Sequence, residues 1–312
     1  MTRISDLSED QLIALFAPRL PESDATILGP GDDAAVMGVD GHLVVSADML
    51  VEDRHFRRAW STGEDVGFRA AMQNLADIDA MGAVATALEI SLALPGDLEV
   101  EWVLSFSDGL RKACEPHGVG VIGGDLSSSD HIVVAVTALG ETHGVEPVTR
   151  ADAEVGDIVA VSGPLGAARA GLALLDAGRR DAPEAIELFL RPQPRIGAGL
   201  EAALHGVTAM MDLSDGLVRD AERIARASQV QISVDSGAVP VHEAAAFTAQ
   251  VLGEDALAWA LGGGEDHHML GCFPRESAVP AGWTVIGQVT AGEPTLLIDG
   301  AAPAVQGWDH FG

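Results

Sequence analysis

The sequence predicts a mixed α/β (α+β) fold in two domains, and three observations lead there. The chain has 312 residues, more than a single domain usually holds. Hydrophobic residues make up 47% of it, enough for two packed cores. They fall as β-branched runs alternating with segments of helical apolar period. Between them, "THGVEPVTRADAEVGD" (Thr142 to Asp157) lacks apolar periodicity and is rich in turn residues. It divides the chain into expected domains 1–143 and 144–312.

Each element has a local reason. Ser8 and Gln11 have capping-box spacing ahead of "LIALFA", which predicts a short helix. "HLVVSADML" has the β-branched density of a strand, and "VGFRAAMQNLADIDAMGA" has the small-residue period of a buried helix. "TALEISLALP" reads as a strand, "EVEWVLSFSDGLRKACEPHG" as a helix, and "VGVIGGD" and "HIVVAVTALGE" as strands. The second domain opens with the strand "DIVAVSG", a glycine-containing turn and the helix "AARAGLALLDAG". A helix over "DGLVRDAERIARAS" follows, then further α and β material at "ISVDS", "ALGGGEDHHMLGCF" and "WTVIGQV". Ser-Asp-Gly-Leu occurs at Ser107–Leu110 and at Ser214–Leu217, an echo too short to make a repeat.

Composition narrows the function. Lys and Arg total 18 against 47 Asp and Glu, a net charge of −29, which excludes nucleic acid or an anionic membrane as a general partner. Lys112 is the sole lysine, so a phosphate-bearing ligand would draw its counter-charge from metal ions. Cys114 and Cys272 are too few for a disulfide framework or a zinc cluster. With no signal-peptide core in "MTRISDLSEDQ" and no bilayer-length apolar run, the expected setting is the cytoplasm.

Two glycine motifs need sorting. Gly118 to Gly123 fits G-x-G-x-x-G, but a helix precedes it and the glycines fall inside a strand, the wrong context for a dinucleotide fingerprint. "SGPLG" after "DIVAV" is a strand-to-helix turn that either binds an anion through free amides or is structural, and it lacks a P-loop lysine.

The acidic turns form the stronger pattern. Asp32 and Asp33 sit in "GPGDDAAVM", Asp48 in "SADML", Asp125 in "GGD", and Asp212 and Asp215 in "MMDLSDGL". Asp77 joins them on a helix, with Asn74 three residues earlier on the same face. Half-buried carboxylates are costly unpaired, and the basic residues are too few to pair them. Hard divalent cations resolve this, and carboxylates with an occasional Ser or backbone oxygen suit Mg²⁺. Each aspartate alone reads equally well as a turn or cap residue: Asp212 and Ser214 stand where they would cap the following helix, and Asp108 is expected exposed. His267 and His268, adjacent on a strand, would point to opposite faces.

"GPGDDAAV", "SADMLVEDRHF", "QNLADIDAMGA", "VIGGDLS", "TRADAEVGDIVAVSGPLG", "RPQPR", "MMDLSDGLVRD", "GGGEDHH" and "GWDHF" occur in the order found in the thiamine-monophosphate kinase family, which the chain resembles end to end. That family lies in the aminoimidazole-ribonucleotide synthetase-like superfamily. The resemblance implies ATP-dependent phosphorylation of thiamine monophosphate by direct transfer. It also implies a homodimer in which the N-terminal mixed sheets form an intersubunit barrel beside C-terminal α/β domains. By motif match, Asp33, Ser46, Asp48, Asp77, Asp125, Asp212 and Asp215 are the expected Mg²⁺ ligands. Gly124, Asp125, Arg150 and Ser214 are expected nucleotide contacts, and His55, Glu265 and Trp308 expected acceptor contacts. Asp33, Asp125, Asp212 and Arg150 are the expected catalytic set.

The chain departs from the family in three places. Ala47 offers only its backbone, Asp53 and Arg54 replace a small turn before His55, and His267 stands where a Tyr is usual in a chain with no Tyr. No Cys precedes Gly-Asp-Asp, which disfavours a selenophosphate synthetase. A metal-dependent phosphohydrolase would pass phosphate to water, and an acidic metal-binding module would not turn over ATP.

Overall fold

The computed structural model describes residues 2–29, 35–274 and 279–309; Asp32 and Asp33 lie outside them. Two compact units emerge, Met1–Ile78 with Val84–Gly144, and Asp79–Ala83 with Val145–Gly312.

In the first unit, α1 (Glu9–Phe16) starts as its spacing predicts: the Ser8 hydroxyl accepts from the Gln11 amide and the Gln11 side chain accepts from the Ser8 amide. A small antiparallel pair, β1 (Thr26–Leu28) and β2 (Val36–Met37), precedes the main sheet. That sheet holds β3 (Leu43–Val51), β4 (Val84–Leu94), β5 (Gly120–Ser128) and β6 (Val133–Glu141) in the order β3-β6-β4-β5. Only the β4–β5 pair is parallel. Two helices belong with it, α2 (Gly63–Ala80) and α3 (Val100–Cys114). They approach closely because glycines meet backbone: a Cβ at Gly63 or Gly67 would lie 2.1 Å from the Trp102 or Phe106 carbonyl oxygen. Leu75, Ile78, Leu88, Val134, Ala138 and Phe106 are buried in this unit.

Register settles the faces of this sheet. Asp48, Val136, Ile90 and Gly124 share one row, and Met49, Ala135, Ser91 and Asp125 the next. Adjacent rows point to opposite faces. The face of Ser46 and Asp48 meets α2, whereas Leu43, Val45 and Met49 on the other face are 53%, 55% and 50% exposed.

The second unit is built on a six-stranded sheet of β7 (Ile158–Val161), β8 (Ala209–Asp212), β9 (Gln231–Val234), β10 (Met269–Phe273), β11 (Thr284–Thr290) and β12 (Thr295–Ile298). The order is β12-β9-β11-β7-β10-β8, with only β12–β9 parallel. Its helices are α4 (Ala167–Asp176), α5 (Pro183–Leu190), α6 (Ala198–Leu204), α7 (Leu217–Ser228), α8 (Glu243–Leu252) and α9 (Ala256–Gly262). The core joins Val159, Val161, Met211, Leu270 and Ile286 of the sheet to Leu217, Ala221 and Ile224 of α7. The expected mixed helix-and-sheet architecture is thus present in both units.

Several local expectations are corrected. α7 begins at Leu217 after Gly216, and neither Asp212 nor Ser214 caps it. Asp108 is paired with Arg19 at 2.9 Å rather than free in solvent. Of the two readings of the "SGPLG" turn the structural one holds at its helix end: Gly166 N and, on α4, Ala168 N donate to Asp266 at 2.6 and 3.1 Å, so the anion at the start of α4 is the chain's own carboxylate. His267 and His268 precede β10 rather than lying on it.

Candidate functional site

In the first unit, the Ser46 hydroxyl on β3 donates to Asp77 Oδ2 on α2 at 2.7 Å, and Gln73 Nε2 donates to Asp48 Oδ2 at 2.6 Å. These residues meet because the polar positions of β3 fall on the face that α2 covers. Asp125 is not with them. It lies on β5, the opposite edge of the sheet, about 14 Å away at ordinary strand spacing, and by register on the opposite face. Gly124 has a packing reason of its own, since a Cβ there would stand 1.8 Å from the Ile90 carbonyl oxygen. Asp79, two residues beyond Asp77, is structural: it accepts from Gly197 N, Gly199 N and Leu200 N at 2.9–3.1 Å, and burial outweighs these bonds to push its pKa up to about 6. His55 Nδ1 accepts from Val51 N at 2.9 Å, so the neutral ring carries its proton on Nε2. Asp33 lies outside the described residues.

In the second unit, Asp212 ends β8, is 3% exposed, and faces His267 Nδ1 at 3.1 Å. Asp215, in the turn before α7, carries its own cations: its Oδ2 is 2.5 Å from Arg223 Nη2 and 3.6 Å from Arg219 Nε. Asp220 on α7 accepts from Asp215 N at 3.0 Å and pairs with Arg223 at 2.7 Å. Burial, and then the charges of Asp212 and Asp215, push the Asp220 pKa up to about 7 against the pull of Arg223. The three carboxylates therefore sense one another.

The loop from Gly262 to His268 closes over this turn. Glu265 N donates to Ser214 O at 2.9 Å and His267 N to Leu213 O at 3.0 Å. Gly264 is required by the approach, since its Cβ would stand 2.1 Å from the Ser214 carbonyl oxygen. Trp308 N donates to Asp215 O at 2.8 Å, which anchors the tail, and the residue is 57% exposed. Thr149 O accepts from Met210 N at 2.9 Å, so the chain at Arg150 runs beside β8 near Asp212. The Arg150 guanidinium is exposed and has no partner among the described residues.

Asp220, Arg219 and Arg223, which the sequence reading does not single out, lie against Asp215, and His267, noted there as a departure from the family, lies against Asp212. Asp220 and Arg223 had a signal, opposite charges at i,i+3 on a helix. For His267 the departure from Tyr does not disclose its partner, because its reach to Asp212 depends on a left-handed backbone, φ 55°.

The donor set fits Mg²⁺. Carboxylate and hydroxyl oxygens are its ligands, and Asp212 and Asp215 stand close enough for their charges to add to burial in raising the Asp220 pKa. Among the described residues, no three His, Cys, Asp or Glu side chains already form a metal cluster.

Residues 31–142 match the family described as AIR synthase related protein, N-terminal domain, and residues 154–299 match its C-terminal domain. The thiamine-monophosphate kinase of Mycobacterium tuberculosis (strain H37Rv) is 44% identical over 92% of this chain and 86% of its own length. That of Aquifex aeolicus is 36% identical over 99% of this chain and 100% of its own. The solved structure of AaThiL complexed with AMPPCP and TMP superposes with a TM-score of 0.82 at 33% identity, covering 100% of this chain and 99% of that one. A hydrogenase maturation protein HypE in complex with ATP, 21% identical, shares the fold with a TM-score of 0.76. Matched from end to end by these kinases, and by both AIR synthase domains in order, the chain belongs to the thiamine-monophosphate kinase family.

Proposed function

We propose that this chain transfers the terminal phosphoryl group of ATP to thiamine monophosphate, giving thiamine diphosphate and ADP. The observation that carries this reading is the full-length likeness to kinases of that name, one solved with AMPPCP and TMP.

The acceptor is a phosphate oxygen, already anionic near neutral pH because a second phosphate pKa lies at about 6, so the site needs no strong general base. The difficulty is bringing two anions together. Several Mg²⁺ ions would be held by Asp33, Ser46, Asp48, Asp77 and Asp125 of the N-terminal domain and by Asp212 and Asp215 of the C-terminal domain, Asp125 serving a different ion from Asp48 because it lies on the opposite edge and face of the sheet; when bound, the ions neutralise phosphate charge. Arg150, exposed and unpaired among the described residues, adds a cation for the phosphates. Gly124, Asp125 and Ser214 are assigned to the nucleotide, and His55, Glu265 and Trp308 to the acceptor. Trp308 is 57% exposed, which supports that assignment by leaving aromatic surface within reach of a ligand. Transfer is direct and in line, with no phosphoenzyme.

The working unit in this reading is a homodimer whose N-terminal sheets close an intersubunit barrel. Leu43, Val45 and Met49, half exposed on one sheet face, support it, because a second copy would cover them. The domains are taken as 1–143 and 144–312, in keeping with the division of compact units at Gly144 and Val145. No described helix is long and apolar enough to cross a membrane, and Cys114 and Cys272 are buried free thiols. The cytoplasm is the setting we assign.

The test is ATP turnover with thiamine monophosphate against unphosphorylated thiamine, following diphosphate formation. Diphosphate from the monophosphate alone is expected. Phosphate released to water, with no diphosphate formed, would replace this reading with a phosphohydrolase.

A further inference from the structure

His267 joins two residues that the proposed function assigns to opposite ends of the reaction. Its Nδ1 lies 3.1 Å from Asp212 Oδ2, and its Nε2 lies 3.8 Å from Glu265 Oε2. The ring is 4% exposed, and among the described residues its Nε2 has no hydrogen-bond partner at ordinary distance. Both neighbours are carboxylates, which only accept, so each ring nitrogen serves its neighbour best as an N–H.

The backbone around the ring is built to hold this arrangement. Glu265 and His267 both have left-handed φ, 70° and 55°, a conformation that residues other than glycine adopt uncommonly. Three anchors force it here. Glu265 N is held by Ser214 O and His267 N by Leu213 O. Between them the Asp266 carboxylate is fixed to the first amides of α4. In an extended backbone, residues 265 and 267 would share a face and their side chains would run parallel. The left-handed turns instead set the imidazole between Asp212 and the Glu265 carboxylate.

We infer that His267 is a positioning residue that ties Asp212, on the phosphoryl-transfer side, to Glu265, on the acceptor side. Its Nδ1–H fixes one oxygen of Asp212, and its Nε2 side orients Glu265 toward the thiamine moiety. The inference rests on the proposed activity, and the two halves of the ring make it separable from a general structural role.

Two substitutions split the ring. In His267→Asn the side-chain amide stands near Nδ1 and still reaches Asp212, but the link to Glu265 is lost. In His267→Gln the amide stands near Nε2, and the link to Asp212 is lost. His267→Asn is expected to raise KM for thiamine monophosphate, and its Kd measured calorimetrically without ATP, by about tenfold, with kcat within about threefold. His267→Gln is expected to lower kcat by about tenfold or more, with KM within about threefold. In the wild-type protein the His267 imidazole ¹⁵N resonances are expected to shift on saturation with thiamine monophosphate alone, a readout that survives if a variant fails to fold. Unmoved resonances, or two folded variants that change KM and kcat alike, overturn the inference while wild-type turnover leaves the kinase reading standing. A wild-type protein that makes no thiamine diphosphate overturns both.

Discussion

Replacing Asp266 by Asn tests which force governs the start of α4. Two opposing effects act on this carboxylate: the Gly166 and Ala168 amides with the positive end of α4 favour its charge, and burial disfavours it. Burial prevails and pushes the pKa up from 3.8 to about 6. In the folded protein Asp266 therefore holds its proton through a window, about pH 4 to 6, where the unfolded chain has released it. Stability from this group is complete below pH 4 and is lost as pH rises through 6. A shift of about two units corresponds to about 3 kcal/mol. Asp266→Asn does not titrate there. Its amide oxygen accepts from only one of the two amides, which costs about 1–3 kcal/mol at every pH and appears as a constant offset. Denaturation of both proteins from pH 4 to pH 7 should show the variant gaining on the wild type by about 3 kcal/mol, roughly 6–12 °C in Tm for a domain of this size. A difference that stays flat, or moves against the variant as pH rises, refutes the reasoning and shows that the amides and helix dipole outweigh burial.

Asp33→Asn and Asp212→Asn should each lose most phosphoryl transfer and keep their circular dichroism spectra, since each removes a proposed cation ligand; near-wild-type rates in both would sink the metal assignment. Trp308→Ala should raise KM for thiamine monophosphate about tenfold, a loss of about 1.4 kcal/mol, and leave KM for ATP unchanged, as steady-state kinetics with each substrate varied will show. Val45→Glu with Met49→Glu should convert the proposed dimer to a monomer by light scattering at micromolar concentration, because each puts a charge on a sheet face whose apolar side chains are 50–55% exposed in the single chain. A dimer that persists in that double variant would place the contact elsewhere.

Much of the fold was legible because its causes are local. Ser8 and Gln11 satisfy each other's amides within four residues, so the start of α1 is readable from spacing alone. β6 and the apolar stripe of α7 follow from side-chain periods of two and 3.6, and β3 from its β-branched density, all of which a short window of the sequence displays. The acidic turns were legible as a class by the same logic, since carboxylates in apolar surroundings need partners that so acidic a sequence does not contain.

What those carboxylates touch was decided elsewhere. Asp48 and Asp125 look equivalent in sequence, yet register across β6 and β4 sets them on opposite faces and edges of one sheet, and register is fixed by strands many residues away. The turn ahead of α4 looked open to an anion until Asp266, about a hundred residues later, filled it. His267 looked like half of an unremarkable pair until a positive φ turned it onto Asp212. The sequence by itself determined the elements, the acidic chemistry and the family. Only the tertiary structure decided which acids are held by backbone amides and which are paired with arginine or histidine, because those choices depend on contacts between segments far apart in the chain.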